Sequence, residues 1–421
     1  MIGLVDGNNF FVSCERVVDP SLEGKAVAVL SNNDGCCVSR SNEFKALGIP
    51  MGTPYFQLKE REASGELVFR SSNYELYGDI SRRIVSILRQ ESAGVEQYSI
   101  DEAFVHPPPS APADLAAWGA ALRATILRWT GIPCGVGFAP NKTLAKIANH
   151  IAKKKEGGVY VLPSDPSAIL EALPAGEVWG VGRRLAAKLR SRGIFTAGAF
   201  MRMEDSEIRA IGSVAALRTA MELRGAGETV SDRAYDADPE SVTCSRTFGE
   251  YVTSAQDLFE ALAYFASQAA AKLRRHRLVA AGCNAYAQIG TACDHVWTDR
   301  TVLFPSPANA TDEILSALRK ETASMFKPGA RYRKAGVVMF GLEKAGALRQ
   351  GVLFPQDAAP RRNRRGEALY GAVDALNARY GGGTVVNAAA GLPAAAPAWR
   401  MKRGRLSPRA TTRWDELLVA K

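Results

Sequence analysis

Two adjacent carboxylates, Asp101 and Glu102, stand in the run Gln97-Tyr98-Ser99-Ile100-Asp101-Glu102-Ala103-Phe104-Val105, which otherwise reads as a buried β-strand. Burying unpaired carboxylates is costly, so the fold must bring positive charge to them. Neighbouring strand residues face opposite sides of a sheet. The pair therefore acts at one place only if the strand bulges or ends near Asp101. The competing reading is a pair that caps a turn at the sheet surface. A third carboxylate, Asp6, closes the short apolar run Ile2-Gly3-Leu4-Val5. Two strands paired in one sheet would bring all three acids together. Phosphoryl or nucleotidyl transfer with two Mg²⁺ ions needs such a group. Each ion takes a few carboxylate oxygens plus substrate phosphates, and the two clamp the attacking and leaving oxygens about 3.5–4 Å apart.

Phosphates need cations. Arg40 and Lys45 follow Gly35, and Lys153 lies at the end of a predicted helix. Each can hold a triphosphate through charge-assisted hydrogen bonds, or be an ordinary solvated side chain. Phe10 and Phe11 follow Asp6 closely. One of them is placed to stack under a sugar and exclude a 2′-hydroxyl; core packing is the competing role, more so for Phe10.

The rest of the chain bounds the partner. Its 421 residues allow two to four domains. A formal net charge of +10 favours an anionic partner, nucleic acid ahead of an anionic membrane. Asp6 interrupts the only early apolar run, which argues against a secretory signal. No uncharged apolar run approaches the roughly 18 to 20 residues of a membrane helix. The seven cysteines form no CxxC pair, which argues against structural zinc or a disulfide framework and for a reduced, cytosolic chain.

Strands alternate with helices over residues 1–163, predicting an α/β layer. Strands are expected at 2–5, 26–30, 97–105 and 134–138, and helices at 41–47, 74–89, 115–130 and 143–154. Residues 164–235 read as helical and contain Trp179-Gly180-Val181-Gly182; residues 242–343 mix strand and helix. Arg274-Arg275-His276-Arg277 closes a helix that begins near Ala255. Past residue 345, an arginine cluster at 361–365 and an Ala/Pro-rich run at 388–398 predict a partly mobile tail.

Three motifs, Asp6-Gly7-Asn8-Asn9-Phe10-Phe11-Val12-Ser13-Cys14-Glu15, Tyr98-Ser99-Ile100-Asp101-Glu102-Ala103-Phe104 and Asn141-Lys142-Thr143-Leu144-Ala145-Lys146, resemble the Y-family translesion DNA polymerases. Leu30-Ser31-Asn32-Asn33-Asp34-Gly35-Cys36, Ser71-Ser72-Asn73-Tyr74-Glu75-Leu76-Tyr77 and the tail around Trp399–Arg413 are similar to the UmuC type, the catalytic-subunit class of bacterial DNA polymerase V. The resemblance covers essentially the whole chain. It implies an α/β and α+β multidomain fold, a right-handed polymerase. Its palm would be 1–10 and 74–163, its fingers 11–73, its helical thumb 164–235 and its little finger 242–345, followed by a tail over 346–421.

By position, the resemblance makes Asp6, Asp101 and Glu102 the catalytic, metal-binding triad and the Gly7 carbonyl a further metal ligand. It makes Phe11 the sugar gate, and Lys45 and Lys153 triphosphate-binding cations. The missing positive charge would then be Mg²⁺ with the incoming dNTP. Phe11 stands where many relatives have Tyr, and Lys45 replaces a frequent Arg, losing bidentate geometry. The run His106–Pro109 has no functional account. Gly180, Gly182 and Arg183 look like a helix-hairpin-helix that grips a DNA phosphate without reading sequence. Arg274, Arg275 and Arg277, with the group Arg331–Lys334, would hold the duplex backbone, a generic basic face being the competing reading. Gln350, Leu353 and Phe354 fit a short sliding-clamp peptide whose two apolar anchors enter a partner pocket; a local strand edge is the competing reading. The resemblance also implies primer-template DNA, a UmuD-type accessory dimer and a RecA filament as partners, no membrane, and a cytoplasmic, nucleoid-associated protein active in the SOS response. The competing functions are a catalytically silent DNA- and clamp-binding scaffold and a two-metal nuclease.

Overall fold

A computed structural model describes residues 1–109, 114–226, 238–291, 294–346, 364–391 and 397–418. Gln350, Leu353 and Phe354 lie outside the described residues. Three sheets organise the chain. The first has the order Gly94–Gln97, Glu102–His106, Ile2–Gly7, Cys134–Ala139, Val159–Val161, antiparallel except for its last pair. Its central strand is buried along all six residues, as a strand covered on both faces must be. Val5, Val105 and Val136 pack under helices Tyr74–Glu91 and Leu115–Thr130. Ile2, Leu4 and Phe104 pack on the opposite face, under helix Lys142–Ala152. By the two-residue alternation, Asp6 shares the face of Leu4, and Glu102 that of Phe104.

Helix Leu115–Thr130 starts and stops where local chemistry dictates. Asp114 caps its first turn by accepting from the N–H of Ala116 and Ala117, and Gly131 ends it with a φ of 74°. The second sheet is small: Val27–Leu30 lies between antiparallel Cys37–Arg40 and parallel Val68–Ser71. Five helices between Ser167 and Leu223 share one apolar core with helix Lys142–Ala152. The third sheet has the order His295–Ala308, Leu278–Gly290, Tyr332–Lys344, Val242–Val252, and helices Ala255–Arg275 and Thr311–Thr322 join its core. No described helix is long and apolar enough to cross a membrane.

One expectation changes. The single strand over 97–105 is a hairpin, Gly94–Gln97 returning as Glu102–His106. Its turn is organised by Ser99, whose Oγ accepts from the N–H of Glu102 at 3.0 Å and donates to Asp101 Oδ1 at 2.6 Å. Such local side-chain bonds compete with the strand ladder. The described part of the tail is built into the fold. Helix Arg364–Tyr380 docks through Asp374 on Arg274, Trp399 is buried against Tyr264 and Phe265, and residues 402–407 cross to the small sheet, where Arg405 and Ser71 bond each other's backbone.

Candidate active site

Asp6 and Glu102 stand directly opposite each other in the register of two antiparallel strands. Like charges so placed repel, and nothing in strand pairing compensates them. Asp101 joins them because the chain turns there: its carbonyl accepts the N–H of Gly7 at 2.9 Å, tying the hairpin turn to the end of the central strand. The structure thus brings Asp6, Gly7, Asp101 and Glu102 to one end of the sheet.

Helix Lys142–Ala152 lies over this end. Lys146 Nζ donates to both Glu102 oxygens, at 3.0 and 2.9 Å, and sits 4.4 Å from the centre of the Tyr98 ring. Lys153, the residue capping the helix, reaches Asp6 Oδ2 at 2.6 Å. Lys146 is thus a site residue, although the expectation names only Lys153; its spacing on the predicted helix was the available signal. Among the described residues, no three His, Cys, Asp or Glu side chains close into a metal-holding group; lysines neutralise Asp6 and Glu102. Burial pushes the Asp6 pKa up to about 7, against the pull of Lys153 and with a further push from Glu102 and Asp101. An acid so destabilised in its charged form accepts further positive charge readily. The available donors are all oxygen, as a hard divalent cation requires.

Three cations, Arg40, Lys45 and Lys153, lie within electrostatic reach of one another and of Asp6. Burial lowers the Lys45 pKa, and Arg40 and Lys153 lower it further, whereas Asp6 raises it. Lys45 Nζ donates to Asn9 Oδ1 at 2.5 Å, and Asn9 Nδ2 donates to Asn42 Oδ1 at 3.0 Å. Asn9 takes the left-handed backbone conformation, φ 48°, that re-aims the chain from strand to helix. Arg40 donates to the carbonyl of Ile49, and its Nε is buried without a partner among the described residues. Asn9 was not anticipated as a site residue, since a lone Asn carries no distinctive sequence signal.

The two phenylalanines separate. Phe10 is 3 % exposed and belongs to the core with Leu76, Tyr77 and Ile80, so its proposed contact with a nucleotide is corrected. Phe11 is half-buried, stacks on Tyr77 at 4.5 Å and meets Tyr74 edge-on at 6.0 Å.

The expected DNA-gripping groups also divide. Gly180, at φ 91°, leaves no room for a Cβ, which would lie 2.7 Å from Thr219 Oγ1. Gly182 precedes helix Arg183–Arg190 and offers no side-chain cap, and both Gly182 and Arg183 are exposed. Arg275 and Arg277 are exposed. Arg274 is not available: its guanidinium donates to both oxygens of Asp374, at 2.6 and 2.8 Å, and to the carbonyl of Asn309. Adjacent helical residues point in different directions, and Arg274 points to the tail helix.

Residues 5–150 match the impB/mucB/samB family, residues 239–353 match its C-terminal domain, and residues 367–420 match the DUF4113 domain of unknown function. The chain is 38% identical to Protein UmuC of Salmonella typhimurium over 100% of both chains. It is 34% identical to DNA polymerase IV of Corynebacterium diphtheriae over 48% of this chain and 46% of that one. Among solved structures, a Y-family DNA polymerase chimera built on Dbh superposes with a TM-score of 0.61 at 22% identity, covering 82% of this chain and 100% of that one.

Proposed function

The chain belongs to the impB/mucB/samB family of Y-family polymerases and is an error-prone translesion DNA-directed DNA polymerase of the SOS response, and from that premise we propose how its residues carry the reaction. Asp6, Asp101 and Glu102, with the Gly7 carbonyl, hold two Mg²⁺ ions. The observation that carries this reading is the cross-strand opposition of Asp6 and Glu102, with Asp101 at the adjacent turn, beside Arg40, Lys45 and Lys153. Held there, Mg²⁺ would supply activation of the primer 3′-hydroxyl for in-line attack on the α-phosphorus and charge neutralisation for the triphosphate and the leaving pyrophosphate. Arg40, Lys45 and Lys153 bind and orient the triphosphate of the dNTP. Lys146 holds Glu102 in place, and Phe11 lies under the sugar as the gate.

In this reading the palm is 1–10 with 74–163, the fingers 11–73, the thumb 164–235, the little finger 242–345, and the tail 346–421. Primer-template DNA is gripped by Gly180, Gly182, Arg183, Arg275 and Arg277. A UmuD-type dimer, a RecA filament and the sliding clamp are its partners, and its place is the cytoplasm, on the nucleoid. Primer extension across an abasic site, with and without accessory factors, tests the whole. Strand growth that requires dNTP supports it, and strand shortening or no reaction under every condition overturns it.

Three predictions arise here. Phe11→Ala opens the space beneath the sugar, and ribonucleotide incorporation should rise by about 100-fold or more relative to dNTP; an unchanged ratio removes Phe11 from the gate. Metal binding must displace the proton from Asp6, whose pKa lies near 7. The apparent Mg²⁺ affinity in extension assays should therefore fall by about tenfold per pH unit below about 7 and level off above it; a flat dependence between pH 5.5 and 7 contradicts the assignment. Leu353→Ala with Phe354→Ala removes both apolar anchors and should weaken sliding-clamp binding by at least about tenfold, read by surface plasmon resonance; unchanged affinity ends the clamp reading.

A further inference from the structure

The segment Trp399–Ala410 crosses from the core of the third sheet to the small sheet and ends against the cluster that contains Phe11. Its tether is polar and specific. Arg405 forms a two-pronged pair with Glu62, 2.8 Å for each oxygen, and its backbone bonds Ser71 in both directions. Two residues later, Ser407 is 6 % exposed. Its Oγ and its carbonyl accept from Asn73 Nδ2, at 2.9 and 3.2 Å. The other end of Asn73 caps helix Tyr74–Glu91 by accepting from the N–H of Leu76. The segment therefore holds the first turn of the helix that carries two of the rings touching Phe11, Tyr74 and Tyr77.

A second line reaches the same rings. Glu15 is fully buried, and its Oε1 accepts the Tyr77 hydroxyl at 2.5 Å. Burial pushes the Glu15 pKa up, and the hydrogen bond from Tyr77 acts against that push. Tyr77 is 0 % exposed and lies nearly parallel to Phe11, at an interplanar angle of 15°. A ring fixed at its hydroxyl by a buried carboxylate has little freedom to slide, and neither does the ring stacked on it.

We propose that Ser407 is a positioning residue for sugar selection: through Asn73, which caps the helix carrying Tyr74 and Tyr77, it fixes the plane of Phe11, so this segment of the domain of unknown function is a working part of the nucleotide site. The inference rests on the reading of Phe11 as the gate. It asks nothing of Ser407 in the chemical step, which lies with Asp6, Asp101 and Glu102.

Single-nucleotide insertion by the full chain, with dNTP and the matching rNTP opposite one undamaged template base, tests it. Ser407→Ala should lower the deoxy-to-ribo ratio of kcat/KM by about five- to tenfold, through a rise in ribonucleotide use, with kcat for dNTP held within about twofold. Ser407→Thr keeps the hydroxyl and should retain the wild-type ratio. Asn73→Asp, which keeps the oxygen that caps Leu76 and deletes only the donor to Ser407, should shift the ratio in the same direction and serves if Ser407→Ala fails to fold. Ratios unchanged in Ser407→Ala and Asn73→Asp while Phe11→Ala collapses the ratio overturn the positioning role and leave the gate standing. An unchanged ratio in Phe11→Ala overturns the gate and this inference with it.

Discussion

Asp101→Ala should reduce primer extension by at least about 1,000-fold, roughly 4 kcal/mol of transition-state stabilisation, while primer-template affinity stays within about twofold of wild type. The backbone makes this a clean test. The bond that ties the turn to the central strand runs from the Gly7 N–H to the Asp101 carbonyl, and a side-chain truncation leaves it in place. Ser99 loses one partner at Oδ1 but keeps the Glu102 N–H. The hairpin should therefore persist, and the melting temperature should move little. Asp101 also raises the Asp6 pKa, so its loss relieves repulsion in the metal-free protein. A variant as stable as wild type or more so, bound to DNA and unable to extend it, is the expected outcome in anisotropy and extension assays run side by side. Extension within about tenfold of wild type would remove Asp101 from the catalytic group.

How much of this site was legible depends on how local its causes are. Helix Leu115–Thr130 falls where the sequence reading put it because its cap, apolar stripe and terminal glycine are all neighbours in the chain. The convergence of Asp6 with Asp101-Glu102 was legible because apolar runs ending in acid have few places to go in a buried sheet. The hairpin was not, because Ile100 and Phe104 carry a strand-like pattern that the Ser99 hydrogen bonds interrupt. Phe10 and Phe11 carry the same side chain in adjacent positions, and only the direction of the helix they begin separates the buried ring from the half-buried one. Arg274 reads as a member of a basic cluster until Asp374, one hundred residues later, claims it. The described part of the tail was not legible either, because a buried Trp399 and the Arg405–Glu62 pair anchor it through contacts that no local pattern records.

A second missed signal leads to the largest expected effect on stability. The strand Cys134–Ala139 carries glycine at 135 and 137, two residues apart and therefore on one face, the face of helix Lys142–Ala152. Without side chains there, the helix lies almost on the strand. A Cβ at Gly137 would fall 2.1 Å from Asn149 N and 2.5 Å from Ala148 C, both backbone atoms. The helix cannot simply retreat, since Asn149 Nδ2 donates to the carbonyls of Leu4 and Gly135 at 3.0 and 2.9 Å and pins it to two strands. Gly137→Ala should therefore cost about 3 kcal/mol or more and lower the melting temperature by roughly 5–10 °C. Gly119→Ala is the control: the atoms nearest its Cβ belong to the side chains of Phe138 and Val159 and not to backbone, so its cost should be smaller. The displaced helix carries Lys146 and ends at Lys153, which neutralise Glu102 and Asp6. Any folded Gly137→Ala protein should then show a raised KM for dNTP, whereas Gly119→Ala should not. Equal stabilities for the two variants, or a Gly137→Ala protein with wild-type KM, would mean that close strand–helix contact does not hold these lysines in place.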